Sequence, residues 1–317
     1  MIVMLKEKEY YPGLDLLKFI LAILIVSGHC RLFEESPTIY QWWGHIDAVA
    51  VPLFFAISSF LFFRKVYSMP VEEDTNQILY KSVKRLAILF VIWYVLMLPM
   101  TYFKFFSVAT LKETIFAFFF SCCFNGYWFI KALLINTVIV YYCRRKNSLV
   151  ICTIIAAAIY FYCSYNYIFH YNSYVVSLRP YYSFFYHLLP FCLGAWLAKI
   201  RDLKIPNVAY ILMWIMALLL CYYKWMDPVY RIVSVLFVFP VFARMRIEYL
   251  SPSALKNLRY TSTILYMVQF FLIWIYDGVG ISQLSLVRFV VVLSLALFIS
   301  YMIIYNADKH KWLKYLY

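Results

Sequence analysis

Within the aliphatic stretch LDLLKFILAILIVSGHC, residues 14–30, Lys18 and His29 are the side chains suited to hold an anion and to move a proton near neutral pH. They stand eleven positions apart. On an α-helix that spacing turns through about 1100°, some 20° from three full turns, so both project from nearly one face. At about 1.5 Å per residue they lie roughly 16 Å apart along the axis. A cation and an imidazole so placed could bind the charged end of an extended substrate and act as a base at its other end. The same residues have a plainer interpretation, in which Lys18 snorkels to the inner headgroups and His29 marks the outer interface. Asp15 either pairs with Lys18 or serves the helix start beside Pro12 and Gly13.

The elements that must position these groups follow from composition. Of 317 residues, 65% are apolar and only 14% charged, and the mean hydropathy is +0.77. Such a chain is an integral membrane protein. Ten apolar runs, near 14–33, 46–64, 83–103, 127–143, 149–169, 181–200, 208–224, 229–244, 260–276 and 286–305, are long enough to cross a hydrocarbon core as helices. The runs are continuous rather than alternating, and lipid-exposed backbone must satisfy its own hydrogen bonds, so strands are excluded. The first run lacks a small-residue cleavage site and continues into Arg31, Leu32 and Phe33, which makes it a retained span rather than a signal peptide. The expected fold is all-α: a polytopic transmembrane helical bundle of about ten spans, with N- and C-termini cytoplasmic. It forms a single integral-membrane domain over 1–317, because no repeat and no polar segment long enough to fold alone interrupts it.

Charge supports that topology. The 29 Lys and Arg outnumber the 15 Asp and Glu, which could suggest nucleic acid, but the excess follows the loops. With the N-terminus inside, Lys6/Lys8, Arg64/Lys65/Lys81/Lys84/Arg85, Arg144/Arg145/Lys146, Lys199/Arg201/Lys204, Arg244/Arg246/Lys256/Arg259 and Lys309/Lys311/Lys314 all fall on one side. The opposite loops hold few, among them Lys104, Lys112, Arg179 and Lys224. This is the asymmetry of the positive-inside rule, so the basic excess orients the chain in the inner, cytoplasmic membrane and does not recruit nucleic acid.

Other residues have bland roles on sequence grounds. TLKETIFAFFFSCCFNG, residues 110–126, is apolar but short, and is expected to be an interfacial or re-entrant helix. The eight Cys, including the adjacent Cys122 and Cys123, show no metal-ligand spacing and read as structural thiols, so no metal is expected. Arg231, Arg288 and Lys131 read as snorkelling cations, His45 and His170 as interfacial, and Asp277 as loop. His187, beside Pro190, is a further candidate.

GLDLLKFILAILIVSGHC resembles the first helix of the acyltransferase-3 family, bacterial membrane O-acyltransferases of cell-surface sugars, whose signature is a basic residue, ten residues, then His. Lys18 stands at the basic position, commonly Arg, and His29 at the histidine. VPLFFAISSFLFFRK (51–65) resembles the family's FF-x-x-S-G-F-L segment, with Ser58 at the serine and Ser59 replacing glycine. SVKRLAILFVIWY resembles its Lys/Arg-Arg-Leu opening of the third helix, GYWFIKALL its Trp-Phe motif, and LPFCLGAWLAKI its Phe-x-x-Gly stretch. TSTILYMVQFFL resembles the late Ser-x-x-x-Tyr segment, although many members carry His where Gln269 stands.

The resemblance implies transfer of an acyl group, usually acetyl from cytoplasmic acetyl-CoA, to a hydroxyl of a sugar or lipid-linked sugar acceptor. Acetyl-CoA would be a co-substrate, with no tightly bound cofactor. Such chemistry needs a base for the hydroxyl proton, for which His29 is the obvious group. Whether His29 deprotonates the acceptor or first accepts the acyl group stays open. Lys18, helped by Lys84 and Arg85, would meet the donor's charged end. Ser58 either donates a hydrogen bond in the site or bonds back within its own helix. Tyr127 and Trp128 are either a stacking surface for the acceptor or interfacial aromatics. A transporter or flippase of a polar or lipid-linked substrate is the alternative, disfavoured because no paired Gly/Pro-broken helices stand out.

Overall fold

Proline and glycine punctuate a chain otherwise made of helix formers. In the computed structural model, which describes residues 10–69, 75–101, 110, 128–169, 184–200, 206–223, 226–280 and 284–317, the regular structure is helical and no strand occurs among those residues. Pro12 opens α1 (Pro12–His29), where its missing N–H and fixed φ do no harm. Then come α2 (Pro37–Asp47), α3 (Ala50–Ser68), α4 (Asn76–Leu96), the single turn α5 (Leu98–Thr101), α6 (Trp128–Arg145) and α7 (Leu149–Phe169). The second half holds α8 (Leu188–Lys199), α9 (Asn207–Leu220), α10 (Asp227–Arg244), α11 (Pro252–Val279) and α12 (Ser285–Asn306), closed by a 3₁₀ turn at Lys311–Leu316.

Among the described residues, four helical stretches are long and apolar enough to cross a membrane: Pro12–His29, Pro37–Ser68, Pro252–Val279 and Ser285–Asn306. Leu149–Tyr165, Leu188–Lys199 and Asn207–Leu220 are shorter apolar helices. Several boundaries differ from the hydropathy reading. The second run is preceded by α2, whose amphipathic PTIYQWWGHID carries no residue in the core. The ninth run begins earlier, at Pro252, because Ser251 caps it by accepting a hydrogen bond from the Ala254 N–H at 3.2 Å, and it ends at Gly280 in the left-handed conformation (φ 65°). Asp277 therefore lies in the last turns of α11 rather than in a loop, and pairs with Arg288 at 2.8 Å. The segment 110–126, Cys122, Cys123, His170 and Tyr127 lie outside the described residues, Thr110 aside.

α1 sits centrally, packed on α11 and α3 and also touching α10 and α2, which gives the Lys18–His29 stripe protein neighbours. The closest pairing is α3 on α8. A Cβ on Gly194 would strike the carbonyl oxygen of Ala56 and come within 2.7 Å of Ser59 Cβ, so this crossing requires glycine. Backbone cannot yield as a side-chain tip can. Gly194→Ala should therefore destabilise the protein by about 2 kcal/mol or more. Thermal unfolding in detergent checks this against Gly278→Ala, where an added Cβ meets nothing within 4 Å.

Candidate functional site

His29 ends α1, and its accessible ring packs edge-on against Phe270 of α11 at 4.5 Å between centroids. The turn behind it is held on several sides. Arg31 and Phe33 take left-handed φ values of 55° and 69°, which non-glycine residues adopt only when their surroundings enforce it. The Phe33 N–H donates to Ser285 Oγ at 2.9 Å, and the Ser285 hydroxyl donates to Glu35 at 2.6 Å. The Ser285 N–H also bonds Glu35. Trp43 of α2 donates its indole N–H to Ser27 Oγ at 2.9 Å and meets Phe33 edge-on at 5.4 Å. These contacts tie the end of α1 to α2 and to the start of α12.

Around that end the structure assembles groups the sequence leaves scattered. A Cβ on Gly28 would lie 2.7 Å from Asp47 Oδ2, which places the Asp47 carboxylate against the residue preceding His29. Arg231, His45 and Asp227 lie within electrostatic reach of Asp47. His45 Nδ1 is 3.1 Å from Asp227 Oδ1, and Arg231 donates to Asp227 Oδ2 from two nitrogens at 2.8 Å. Arg231 is thus an ion-paired residue within α10 rather than a snorkelling one, and His45 belongs to the same network rather than to a bare interface. Cys221, with His45 and Asp227, completes a group whose ligand-type atoms all lie within 4.8 Å of one another. Arg231 already neutralises the Asp227 carboxylate there, so the group is built as an ion-pair network before any cation is considered.

Trp128, at the start of α6, stacks on His187 at 4.8 Å, and His187 stacks on Phe55 of α3 at 4.7 Å with parallel planes. His187 meets Tyr186, which stacks on Tyr160 at 4.6 Å, and Arg231 and Asp227 act electrostatically on both tyrosines. Trp128, half-buried, therefore belongs to an aromatic wall that leads to the Arg231 network. Ser58 is half-buried on α3, whereas Ser59 is fully buried against Gly194, so the serine pair divides between an accessible hydroxyl and a packing one. Gln269, at the variant position, is fully buried and donates its amide N–H to the Tyr266 carbonyl at 3.0 Å, which leaves its own oxygen without a partner among the described residues.

At the other end of α1, half-buried Lys18 lies within electrostatic reach of Asp15, Arg259, Arg85 and Lys65. Asp15 accepts a hydrogen bond from the Tyr10 hydroxyl at 3.0 Å and faces Arg259 at 3.9 Å. Cations from α3, α4 and α11 thus lie within electrostatic reach of Lys18 on α1, beside the buried carboxylate of Asp15. Arg85 belongs to this cluster. Lys84, exposed like Arg85, holds its ammonium 5.9 Å from the ring of Tyr80. Lys65 and Arg259, which the sequence assigns only to loop charge, do belong. Nothing in the spacing marks them, because they reach Lys18 from separate helices.

A bundle of apolar helices that gathers cations at one end of α1 and an accessible imidazole at the other is a membrane protein equipped to hold an anion and move a proton. A model of the acyltransferase-3 family, described as an acyltransferase domain, matches residues 11–305, nearly the whole chain, and the chain belongs to that family of acyltransferases. Neither the curated proteins nor the solved structures contain a match.

Proposed function

We propose that this protein is a membrane O-acyltransferase that moves an acyl group, acetyl first of all, from cytoplasmic acyl-CoA to a hydroxyl of a cell-surface or lipid-linked sugar. In this reading about ten spans cross the inner membrane with both termini in the cytoplasm, the Lys18 end of α1 faces the cytoplasm and His29 lies toward the outer half. The observation that carries it is the placement of both groups on one helix, roughly 16 Å apart, with Lys65, Arg85 and Arg259 gathered around the first and an accessible ring at the second.

The cation cluster binds the phosphates of the donor, and the thioester arm extends along α1. His29 takes the proton of the acceptor hydroxyl as its oxygen attacks the thioester carbonyl. The carbon–sulfur bond breaks, the ester forms, and the proton returns to the departing CoA thiolate. In this reading Ser58 donates to the carbonyl oxygen as charge develops on it, and Tyr127 and Trp128 bind the acceptor. Acetyl-CoA is consumed as a co-substrate, with no tightly bound cofactor.

The test is CoA release by the purified full-length protein given acetyl-CoA, together with the acetyl content of surface polysaccharide in cells with and without it. Acyl-CoA turnover and loss of surface acetyl in the deletion are expected. A transporter or flippase would give no turnover, and that result would remove the enzyme assignment.

A further inference from the structure

Asp47 is a carboxylate on the helical stretch Pro37–Ser68, half-accessible, and without a hydrogen bond or ion pair among the described residues. Its two oxygens can accept hydrogen bonds from the hydroxyls of a ligand. Among the described residues its neighbour Asp227 is served by His45 and Arg231, and Asp47 by none. Contact with Gly28 puts the Asp47 carboxylate within about 8 Å of the His29 Cα by chain geometry.

We infer that Asp47, backed by the Arg231–Asp227–His45 network, is the acceptor subsite, and that it selects an uncharged, hydroxyl-rich sugar at the position being acylated. This rests on the acyltransferase reading above. A carboxylate needs donors, and neighbouring sugar hydroxyls supply them while a third is presented to His29. Half-buried Trp128 adds one aromatic ring, at the end of a stack that runs through buried His187 and Tyr186 to within electrostatic reach of Arg231. An acceptor bearing a carboxylate would add a like charge beside Asp47 and Asp227, with the one guanidinium of Arg231 already committed to Asp227. Among the described residues, selectivity therefore comes from an unserved acceptor group and two carboxylates against one guanidinium.

The test uses purified full-length protein with acetyl-CoA and two soluble probes, methyl glucoside and methyl glucuronate, with ester formation and CoA release followed together. Wild type should favour the neutral probe by about tenfold or more in kcat/KM, the discrimination expected of a hydrogen bond to a charged group. Asp47→Asn should raise the KM for methyl glucoside about tenfold, leave the KM for acetyl-CoA unchanged and narrow the preference. Equal use of the probes, no ester on either while CoA is released, or an unchanged acceptor KM in Asp47→Asn would overturn the subsite and leave the enzyme standing. Absence of CoA release altogether would overturn the acyltransferase reading instead. The wild-type comparison needs no variant to fold.

Discussion

His29→Ala is expected to lower acyl transfer by about 10²–10⁴-fold, the usual contribution of a positioned general base. The protein should stay folded, because His29 is exposed and its ring meets Phe270 edge-on. The end of α1 is held instead by Trp43, Ser285 and Glu35, none of which bonds His29. His29→Gln should be as inactive as the alanine variant, since it retains size and polarity but cannot cycle a proton. The base must be neutral to accept that proton, so wild-type activity must fall as pH drops through the imidazole's own titration. The residual rate of either variant should lack that limb. The measurements are ester formation across pH and detergent size-exclusion profiles of the three proteins. A folded His29→Ala protein with wild-type transfer would exclude His29 from the chemistry.

What the sequence makes legible is whatever one helix carries by itself. Lys18 and His29 share a face of α1 because eleven residues nearly complete three turns, and no tertiary contact is needed to know it. The cation cluster is legible only in part. Lys84 and Arg85 are adjacent, so a helix turns them about 100° apart, and which of them faces Lys18 depends on how α4 is rotated against its neighbours. Arg85 is the one that acts electrostatically on Lys18. Lys65 and Arg259 arrive from α3 and α11, and their convergence depends on helix pairing that hydropathy does not encode.

The Arg231 network escapes for a second reason. Arg231 and Asp227 stand four apart on α10, a spacing at which opposite charges meet on a helix surface, yet hydropathy treats each as a boundary charge. Asp47 sits where an apolar run begins and looks like its polar flank. Only the close approach of α2 to Gly28 brings its carboxylate beside α1. Asp277 is misjudged for a related reason, since a helix of 28 residues carries charged ends well past the hydrocarbon core and still remains helix.

Lys18→Met should raise the KM for acyl-CoA about tenfold to a hundredfold, the loss expected when one hydrogen bond to a charged group is removed, with a much smaller effect on kcat. Met keeps the length and apolar stem of lysine, so a change reports the ammonium rather than the packing. Lys18→Arg should bind the donor at least as well as wild type, because a guanidinium offers a fork where the ammonium offers a point charge. Three further cations surround the site, so the single loss weakens donor binding without abolishing it. The same surroundings give a second readout. Donor KM in wild type should rise with salt, and the rise should be shallower in Lys18→Met, because fewer charges remain to be screened. Donor titrations on membranes of each variant at two ionic strengths decide between two roles for this residue. An unchanged donor KM in Lys18→Met would make Lys18 a snorkelling residue. Collapse of both Lys18→Met and Lys18→Arg would instead assign it to a structural pairing with Asp15, whose carboxylate would then be left to Arg259 at 3.9 Å and to Tyr10.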